Sequence, residues 1–181
     1  MKITETKIKD LFVLEPELFE DVRGWFFESY NKEQLKKNGL EIDFVQDNHS
    51  SSLLKGTLRG LHLQNNPHAQ TKLVRCTRGA VLDVAVDLRK DSPTYKKYFS
   101  IEISAENKKQ LLIPKGFAHG FLTLVDNTEF EYKVDNYYDK QSERTIYFAD
   151  QELAINWGIE NPILIEREKN APLLKDCDIN F

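Results

Sequence analysis

The densest cluster of reactive side chains is the segment Leu58-Arg-Gly-Leu-His-Leu-Gln64, which carries Arg59 and His62. Three later segments that look like strands add complementary groups: Lys72, His119 and Tyr132. An isolated histidine in such a segment is more often a solvated residue of an edge strand. The combination with a lysine, a second histidine and a tyrosine is what indicates a site.

Histidine, lysine and tyrosine together suit the removal of a proton next to a carbonyl group. His62 can be unprotonated near neutral pH, so it can accept the proton. Lys72 can stabilise the negative charge that develops on the enolate oxygen. Tyr132 has a high ordinary pKa, stays protonated and can return a proton from the opposite face. Two opposed proton-transfer groups predict inversion of a stereocentre.

A metal site is the main alternative for histidines in a small β-barrel. Such sites often begin with a His-x-His pair, but here Gln64 follows His62 at that spacing and no glutamate comes soon after. His62 and His119 could form a two-histidine site, yet no third ligand is apparent. His49 and His68 lie in loop-like segments, where a solvated histidine is expected. We therefore expect neither a metal nor another cofactor.

Two upstream segments carry groups suited to a nucleotide. In the block Phe19-Glu-Asp-Val-Arg-Gly-Trp-Phe-Phe-Glu28, Arg23 could bind a phosphate with both arms of its guanidinium. The segment Phe44-Val-Gln-Asp-Asn48 adds the amides of Gln46 and Asn48, which could pair with the edge of a pyrimidine base. Neither segment is specific without the other.

Composition limits the class of protein. The 181 residues suffice for one domain with a substantial core. Lysine and arginine number 25 against 29 aspartates and glutamates, and this net charge of −4 argues against a nucleic-acid partner. Neither a signal peptide nor a membrane-spanning run is found, so we expect a cytoplasmic protein with no membrane partner. Cys76 and Cys177 are expected to be reduced structural thiols.

The central chain predicts short strands separated by turns. These strands are expected at Lys72–Cys76, Ala80–Leu88, Tyr98–Ile103, Gln110–Ile113, Gly120–Val125 and Glu129–Val134, with another beginning at Phe117. One helix is predicted from about Lys32 to Asn38, with Asn31 as its N-cap and Gly39 at its end. Many short strands predict an all-β fold, and we expect an antiparallel jelly roll with a few short helices.

Side-chain alternation assigns faces to two of these segments. In Val81–Leu88, one face is wholly apolar and the other carries Asp83 and Asp87. In the His62 segment, strict alternation places Arg59 with Leu61 and places His62 on the other face. A bulge at Gly60 would redirect Arg59.

Together these segments resemble the dTDP-4-dehydrorhamnose 3,5-epimerase family of cupin-like jelly rolls, over nearly the whole chain. The motifs that carry the resemblance are Asp21–Gly24, Phe44–Asn48, Leu58–His62, Gln70–Val74, Gly79–Arg89, Ile113–Phe121, Tyr132-Lys133 and Tyr137-Tyr138. The resemblance implies a homodimer in which an N-terminal segment crosses to the partner. It also implies conversion of dTDP-4-dehydro-6-deoxy-D-glucose to dTDP-4-dehydro-L-rhamnose by epimerisation at C3 and C5.

The resemblance also implies roles for individual residues. His62 would accept the proton, Tyr132 would donate one, and Lys72 would stabilise the enolate. The residues that would contact the dTDP-sugar are Arg23, Glu28, Gln46, Asp47, Asn48, Arg59, Lys72, His119, Tyr138 and Glu143.

The chain departs from the family pattern near its C-terminus. The family has a Ser-x-Lys-Asp type of segment whose aspartate orients the histidine base. Glu168 falls at the aspartate position here, Arg167 at the lysine position and Ile165 at the serine position. We expect Glu168 to orient His62 and Arg167 to lie beside the substrate. The alternative is that Glu168 is a surface carboxylate in a charged tail, in which case Asp83 is the next candidate partner of His62.

Two other functions stay open at this point. The same fold with similar residues could serve a one-centre epimerase or a ketoisomerase on a related dTDP-4-keto sugar, although Tyr132 favours inversion. A sugar-nucleotide-binding module without catalysis is the alternative from a different class. The altered segment at Glu168 is its only support.

Overall fold

The computed structural model describes residues 1–181 and consists mostly of β-strands. The strands are β1 (Lys2–Glu5), β2 (Phe12–Glu15), β3 (Phe19–Asp21), β4 (Gly24–Phe26), β5 (Gln46–Ser52), β6 (Leu58–Gln64), β7 (Lys72–Arg78), β8 (Ala80–Asp87), β9 (Tyr98–Ser104), β10 (Gln110–Ile113), β11 (Phe117–Thr123), β12 (Thr128–Val134) and β13 (Glu143–Thr145). The chain also forms two short helices, α1 (Lys32–Lys37) and α2 (Glu166–Lys169), and a 3-10 turn at Leu174–Asp176. None of these helices has the length and apolar character needed to cross a bilayer.

Two sheets packed face to face form the body of the molecule. The six-stranded sheet has the order β1-β2-β10-β7-β12-β5, and the five-stranded sheet has the order β13-β6-β11-β8-β9. All pairs of these strands are antiparallel. Strands β3 and β4 form a separate hairpin. The predicted antiparallel jelly roll is therefore confirmed.

Three apolar clusters stabilise this arrangement. One lies between the sheets and contains Val81 and Ala85 of β8. A second lies between the outer face of the five-stranded sheet and the C-terminal segment, and it contains Val84 and Val86 of the same strand. A third is covered by α1, whose Leu35 is buried against the six-stranded sheet. Because β8 is buried on both faces, its carboxylates must find partners inside the protein.

The predicted central strands are present, and their ends differ from the prediction by a few residues. The two pieces expected at Phe117 and at Gly120–Val125 are one continuous strand, β11. Helix α1 begins as predicted, with the Asn31 side chain accepting a hydrogen bond from the Gln34 amide at 3.1 Å. Both cysteines are free thiols, and Cys76 is buried.

A bulge interrupts the alternation of β6. Leu58 and Leu61 both pack into the outer cluster, whereas Arg59 is exposed and His62 faces away from that cluster. The prediction that Arg59 shares a face with Leu61 is therefore wrong, and the alternative of a bulge at Gly60 is correct. An extra residue in one strand shifts every later side chain to the other face.

Glycine is required at this bulge. Gly60 has a φ of 136°, which L-residues with a side chain rarely adopt. A Cβ at Gly60 would also lie 2.5 Å from the Cα of Gly120 on β11. The two facing glycines let β6 and β11 approach closely, and the register between these strands shifts at the same place.

The C-terminal segment runs beside the start of β6. The Leu58 amide donates to the Ile163 carbonyl at 3.0 Å, and the Ile163 amide donates to the Gly56 carbonyl at 2.8 Å. Helix α2 follows directly and ends beside the bulge. This backbone pairing brings residues that are about a hundred positions apart in sequence into contact around His62.

Candidate active site

Polar side chains from both sheets meet in the space between them. In the five-stranded sheet, His62 on β6 and His119 on β11 are direct cross-strand partners. In the six-stranded sheet, Lys72 is on β7 and Tyr132 is on β12, and the Lys72 Nζ lies 6.0 Å from the centre of the Tyr132 ring. The structure thus brings together the four groups on which the chemical interpretation of the sequence depends.

Glu168 is a buried partner of His62. Its side chain is only 4% exposed, and its Oε1 lies 3.4 Å from the Nε2 of His62. The carboxylate also accepts hydrogen bonds from the amides of Gly60 at 3.2 Å and Ile165 at 3.3 Å. Glu168 is therefore not a surface carboxylate. Burial by itself would raise the pKa of Glu168, but the proximity of His62 and the hydrogen bonds from the two amides outweigh it and lower the pKa.

The surroundings of His62 keep the imidazole neutral. Burial lowers the pKa of His62 and is the largest influence on it. Glu168 opposes this effect, and the nearby cations Lys72 and Arg167 add to it. A neutral imidazole carries one basic nitrogen, which is what proton abstraction requires.

Burial acts on Lys72 and Tyr132 in ways that suit the same chemistry. It lowers the pKa of Lys72 to about 8, although Asp83 and Glu143 raise it. Lys72 therefore remains mainly a cation at neutral pH. Burial raises the pKa of Tyr132, with Arg59 opposing the shift. Tyr132 is consequently a protonated phenol that can act as an acid.

Asp83 forms a second carboxylate–histidine pair. It is fully buried, and its Oδ2 lies 2.9 Å from the Nε2 of His119, while its Oδ1 has no hydrogen-bond partner. The His119 ring stacks on Phe130 with 6.1 Å between centroids. The position of Asp83 on the carboxylate face of β8 was visible in the sequence, but it pairs with His119 and not with His62.

These carboxylate–histidine pairs stay separate from each other. No group of three or more histidine, cysteine, aspartate or glutamate side chains is placed to bind one metal ion in common.

The rim of the site is a chain of polar contacts that ends on His62. The Tyr138 hydroxyl donates to Oε2 of Glu143 at 3.0 Å, and Nη1 of Arg167 donates to the same oxygen at 2.8 Å. Nη2 of Arg167 lies 3.2 Å from Nε2 of His62. Arg59 is held on another side by Ser52, whose hydroxyl accepts from Nε at 3.2 Å.

The predicted nucleotide contacts on β5 point in two directions. Asn48 is the cross-strand partner of Tyr132, and its Oδ1 accepts a hydrogen bond from Gln46 at 2.8 Å. Both side chains are partly buried. Asp47 alternates to the opposite face, where it forms an ion pair with Lys133 at 2.9 Å. Within one chain, Asp47 therefore lies apart from the interior cluster.

Arg23 and Glu28 also lie apart from the cluster. Arg23 is 87% exposed on the β3–β4 hairpin and is bonded to Asp21. Glu28 accepts hydrogen bonds from Asn31 and Gln34 at the start of α1, each at 3.2 Å. Their partners all belong to the N-terminal part of the chain.

Comparison with known proteins identifies the relatives of this chain. A family model described as dTDP-4-dehydrorhamnose 3,5-epimerase matches residues 5–176. The chain is 49% identical to the dTDP-4-dehydrorhamnose 3,5-epimerase of Shigella flexneri over 179 residues, which cover 98% of both sequences.

Solved structures give the same result. The dTDP-4-dehydrorhamnose 3,5-epimerase of Bacillus anthracis, crystallised with TDP and PPi bound, superposes with a TM-score of 0.93 at 53% identity, covering 96% of this chain and 99% of that one. The Legionella pneumophila enzyme, in complex with dTDP-4-keto-L-rhamnose, has a TM-score of 0.93 at 42% identity, covering 98% and 94%. The chain belongs to the dTDP-4-dehydrorhamnose 3,5-epimerase family.

Proposed function

We propose that this chain is an isomerase that epimerises dTDP-4-dehydro-6-deoxy-D-glucose at C3 and C5 to give dTDP-4-dehydro-L-rhamnose. The observation that carries the proposal is the convergence of His62, Lys72 and Tyr132 from two facing sheets, each in the protonation state that the reaction needs. The complexes of the Bacillus and Legionella relatives with TDP and with dTDP-4-keto-L-rhamnose support this class of substrate.

The proposed mechanism uses only proton transfers. His62 removes the proton from the carbon next to the 4-keto group, and the electron pair of the C–H bond moves to form an enolate. Lys72 stabilises the negative oxygen as its charge develops. Tyr132 then adds a proton to the carbon from the opposite face, so that the centre is inverted. His62 then releases its proton to solvent and Tyr132 regains one from solvent, and the same sequence at the second carbon completes the reaction.

The other polar residues are proposed to hold the substrate. Arg59 and His119 contact the diphosphate and the sugar, and Arg167 adds a guanidinium at the rim. Tyr138 offers an exposed aromatic face against which the pyrimidine base of the nucleotide can stack. The amides of Gln46 and Asn48, together with Glu143, add further polar contacts.

We further propose a homodimer in which the β3–β4 hairpin of each protomer reaches the site of the other. The hairpin and its turn expose Phe19, Val22, Trp25 and Phe26, all more than half accessible. Phe19 and Phe26 lie side by side across the hairpin, with 6.4 Å between ring centroids, and exposed apolar side chains of this kind are typical of a protein–protein interface. The exposed Arg23 lies on the same hairpin, and a two-fold arrangement would carry it to the partner's site.

Reaction in heavy water tests the proposed function directly. We expect product that carries deuterium at both C3 and C5 with both centres inverted. His62→Ala should lower turnover by roughly three orders of magnitude because it removes the base, while dTDP binding measured by calorimetry persists. The matched control is His49→Ala, since His49 lies half exposed on the outer face. Inversion at one carbon only would indicate a one-centre epimerase, and unlabelled substrate would indicate a binding module.

Removing the proposed acid should separate exchange from inversion. Tyr132→Phe keeps His62 and Lys72, so substrate protons should still exchange with solvent deuterium. Formation of epimerised product should fall by about a hundredfold, because no acid remains on the opposite face. Tyr95→Phe, on the loop before β9, serves as the control for the loss of a hydroxyl. Full epimerisation by Tyr132→Phe would remove this residue from the mechanism.

The Glu168–His62 pair predicts a pH effect with a definite sign. Glu168 raises the pKa of His62, so Glu168→Gln should lower that pKa further. Because His62 acts as a base when unprotonated, the acid limb of kcat/KM should move to lower pH. The maximum should fall by about tenfold or more, since the carboxylate no longer stabilises the imidazolium. An alkaline limb set by Lys72 should stay in place, and an unchanged acid limb would refute the pairing.

Mixing two defective variants tests the exchanged hairpin. Arg23→Ala and His62→Ala homodimers should both be impaired. If Arg23 serves the partner's site, a mixed dimer has one intact site, and a refolded equimolar mixture should recover about a quarter of the wild-type activity. If Arg23 serves the site of its own chain, the mixture should be no more active than the average of the two homodimers.

A further inference from the structure

Two adjacent residues of α2 contact the same ring nitrogen of His62 with opposite charges. The Nε2 atom lies 3.4 Å from Oε1 of Glu168 and 3.2 Å from Nη2 of Arg167. The contact with Arg167 has the geometry of a hydrogen bond, whereas the contact with Glu168 is an ion-pair distance without one. The Nδ1 atom of His62 makes no hydrogen bond within the chain.

These two contacts require different tautomers of a neutral His62. A guanidinium can only donate, so a bond from Arg167 needs a lone pair on Nε2 and puts the ring proton on Nδ1. An ionised carboxylate can only accept, so a full bond to Glu168 needs the proton on Nε2 and leaves the lone pair on Nδ1. The ring cannot satisfy both partners at once.

The two partners also differ in mobility. The Glu168 carboxylate is buried and tied to the amides of Gly60 and Ile165. The Arg167 side chain is 47% exposed, and its other arm reaches Glu143 at the rim. A guanidinium binds a phosphate group through two parallel hydrogen bonds, which a single neutral imidazole cannot match. A diphosphate entering at the rim therefore competes for Arg167 but leaves Glu168 in place.

We propose that Arg167 is a positioning residue that holds the His62 base in an inactive tautomer until a diphosphate ligand draws it away. In the empty site, Arg167 occupies the lone pair of Nε2 and the proton sits on Nδ1. When the diphosphate takes Arg167, Nδ1 releases its proton to solvent and Nε2 gains one, so the net charge of the ring is unchanged. Nε2–H then donates to Glu168, and Nδ1 becomes the base.

This proposal rests on the proposed function, because it assumes a ligand that carries a diphosphate. It gives the enzyme a base that is fully available only when substrate is bound. It also gives a role to the neighbouring positions 167 and 168: one residue stabilises the resting tautomer of His62 and the other stabilises the active tautomer.

The ring-nitrogen NMR shifts of protein labelled with 15N-histidine report the tautomer directly. In the free wild-type protein near neutral pH, we expect His62 to have a protonated-type shift at Nδ1 and an unprotonated-type shift at Nε2. Saturating dTDP should exchange the two types of shift between the nitrogens. Inorganic pyrophosphate should make the two nitrogens change places in the same way, because it carries the diphosphate that competes for Arg167. A His62 tautomer that is the same with and without bound dTDP would overturn the proposal.

Arg167→Met removes the donor but keeps a flexible apolar side chain, so free Arg167→Met protein should already show the Nε2–H tautomer. Lys169→Met is the matched control on the same helix, because Lys169 pairs only with Glu166. It should behave as the wild type does. Wild-type behaviour of free Arg167→Met would contradict the proposal.

We call the contact of Arg167 with His62 that holds the inactive tautomer the latch. Failure of the latch is distinguishable from failure of the proposed function. If dTDP switches the tautomer but no epimerised product forms, the proposed reaction is wrong and the latch stands. If epimerisation occurs while free His62 already has the Nε2–H tautomer, the latch alone is wrong.

Discussion

The buried carboxylate of Glu168 is the constraint on which the arrangement of the site depends. A carboxylate can remain ionised inside a protein only when donors surround it. Here those donors are the amides of Gly60 and Ile165, and the ring of His62 lies 3.4 Å from the same carboxylate. The same three contacts join the bulge of β6, the start of α2 and the proposed base. Stabilising the charge therefore also fixes where the imidazole lies.

Burial between the two sheets gives three neighbouring side chains different protonation states from one physical cause. Loss of water disfavours whichever form of a group is charged. It therefore keeps His62 neutral and Tyr132 protonated, and it lowers the pKa of Lys72 only to about 8 because two carboxylates lie nearby. A neutral base, a protonated acid and a cation can therefore coexist in the same site near neutral pH.

Much of this architecture was accessible from the sequence. Alternating side chains predicted the central strands, and the capping pattern at Asn31 predicted α1, because both features depend on local backbone geometry. The types of side chain at positions 62, 72 and 132 indicated proton transfer next to a carbonyl. The resemblance carried by the longer motifs identified the family. Glu168 was found only through that resemblance, since nothing in its immediate neighbours distinguishes it from a surface residue.

Tertiary structure decided the contacts that join distant parts of the chain. The bulge at Gly60 lies where β6 closely approaches Gly120, which comes sixty residues later, so alternation within β6 alone assigned the wrong face to Arg59. Asp83 pairs with His119 because β8 and β11 are neighbours in the sheet. The sequence by itself determined which chemical groups are present and which local elements carry them. Only the packing of strands and the C-terminal segment decided which groups meet, because desolvation and hydrogen bonding depend on neighbours that sequence distance does not reveal.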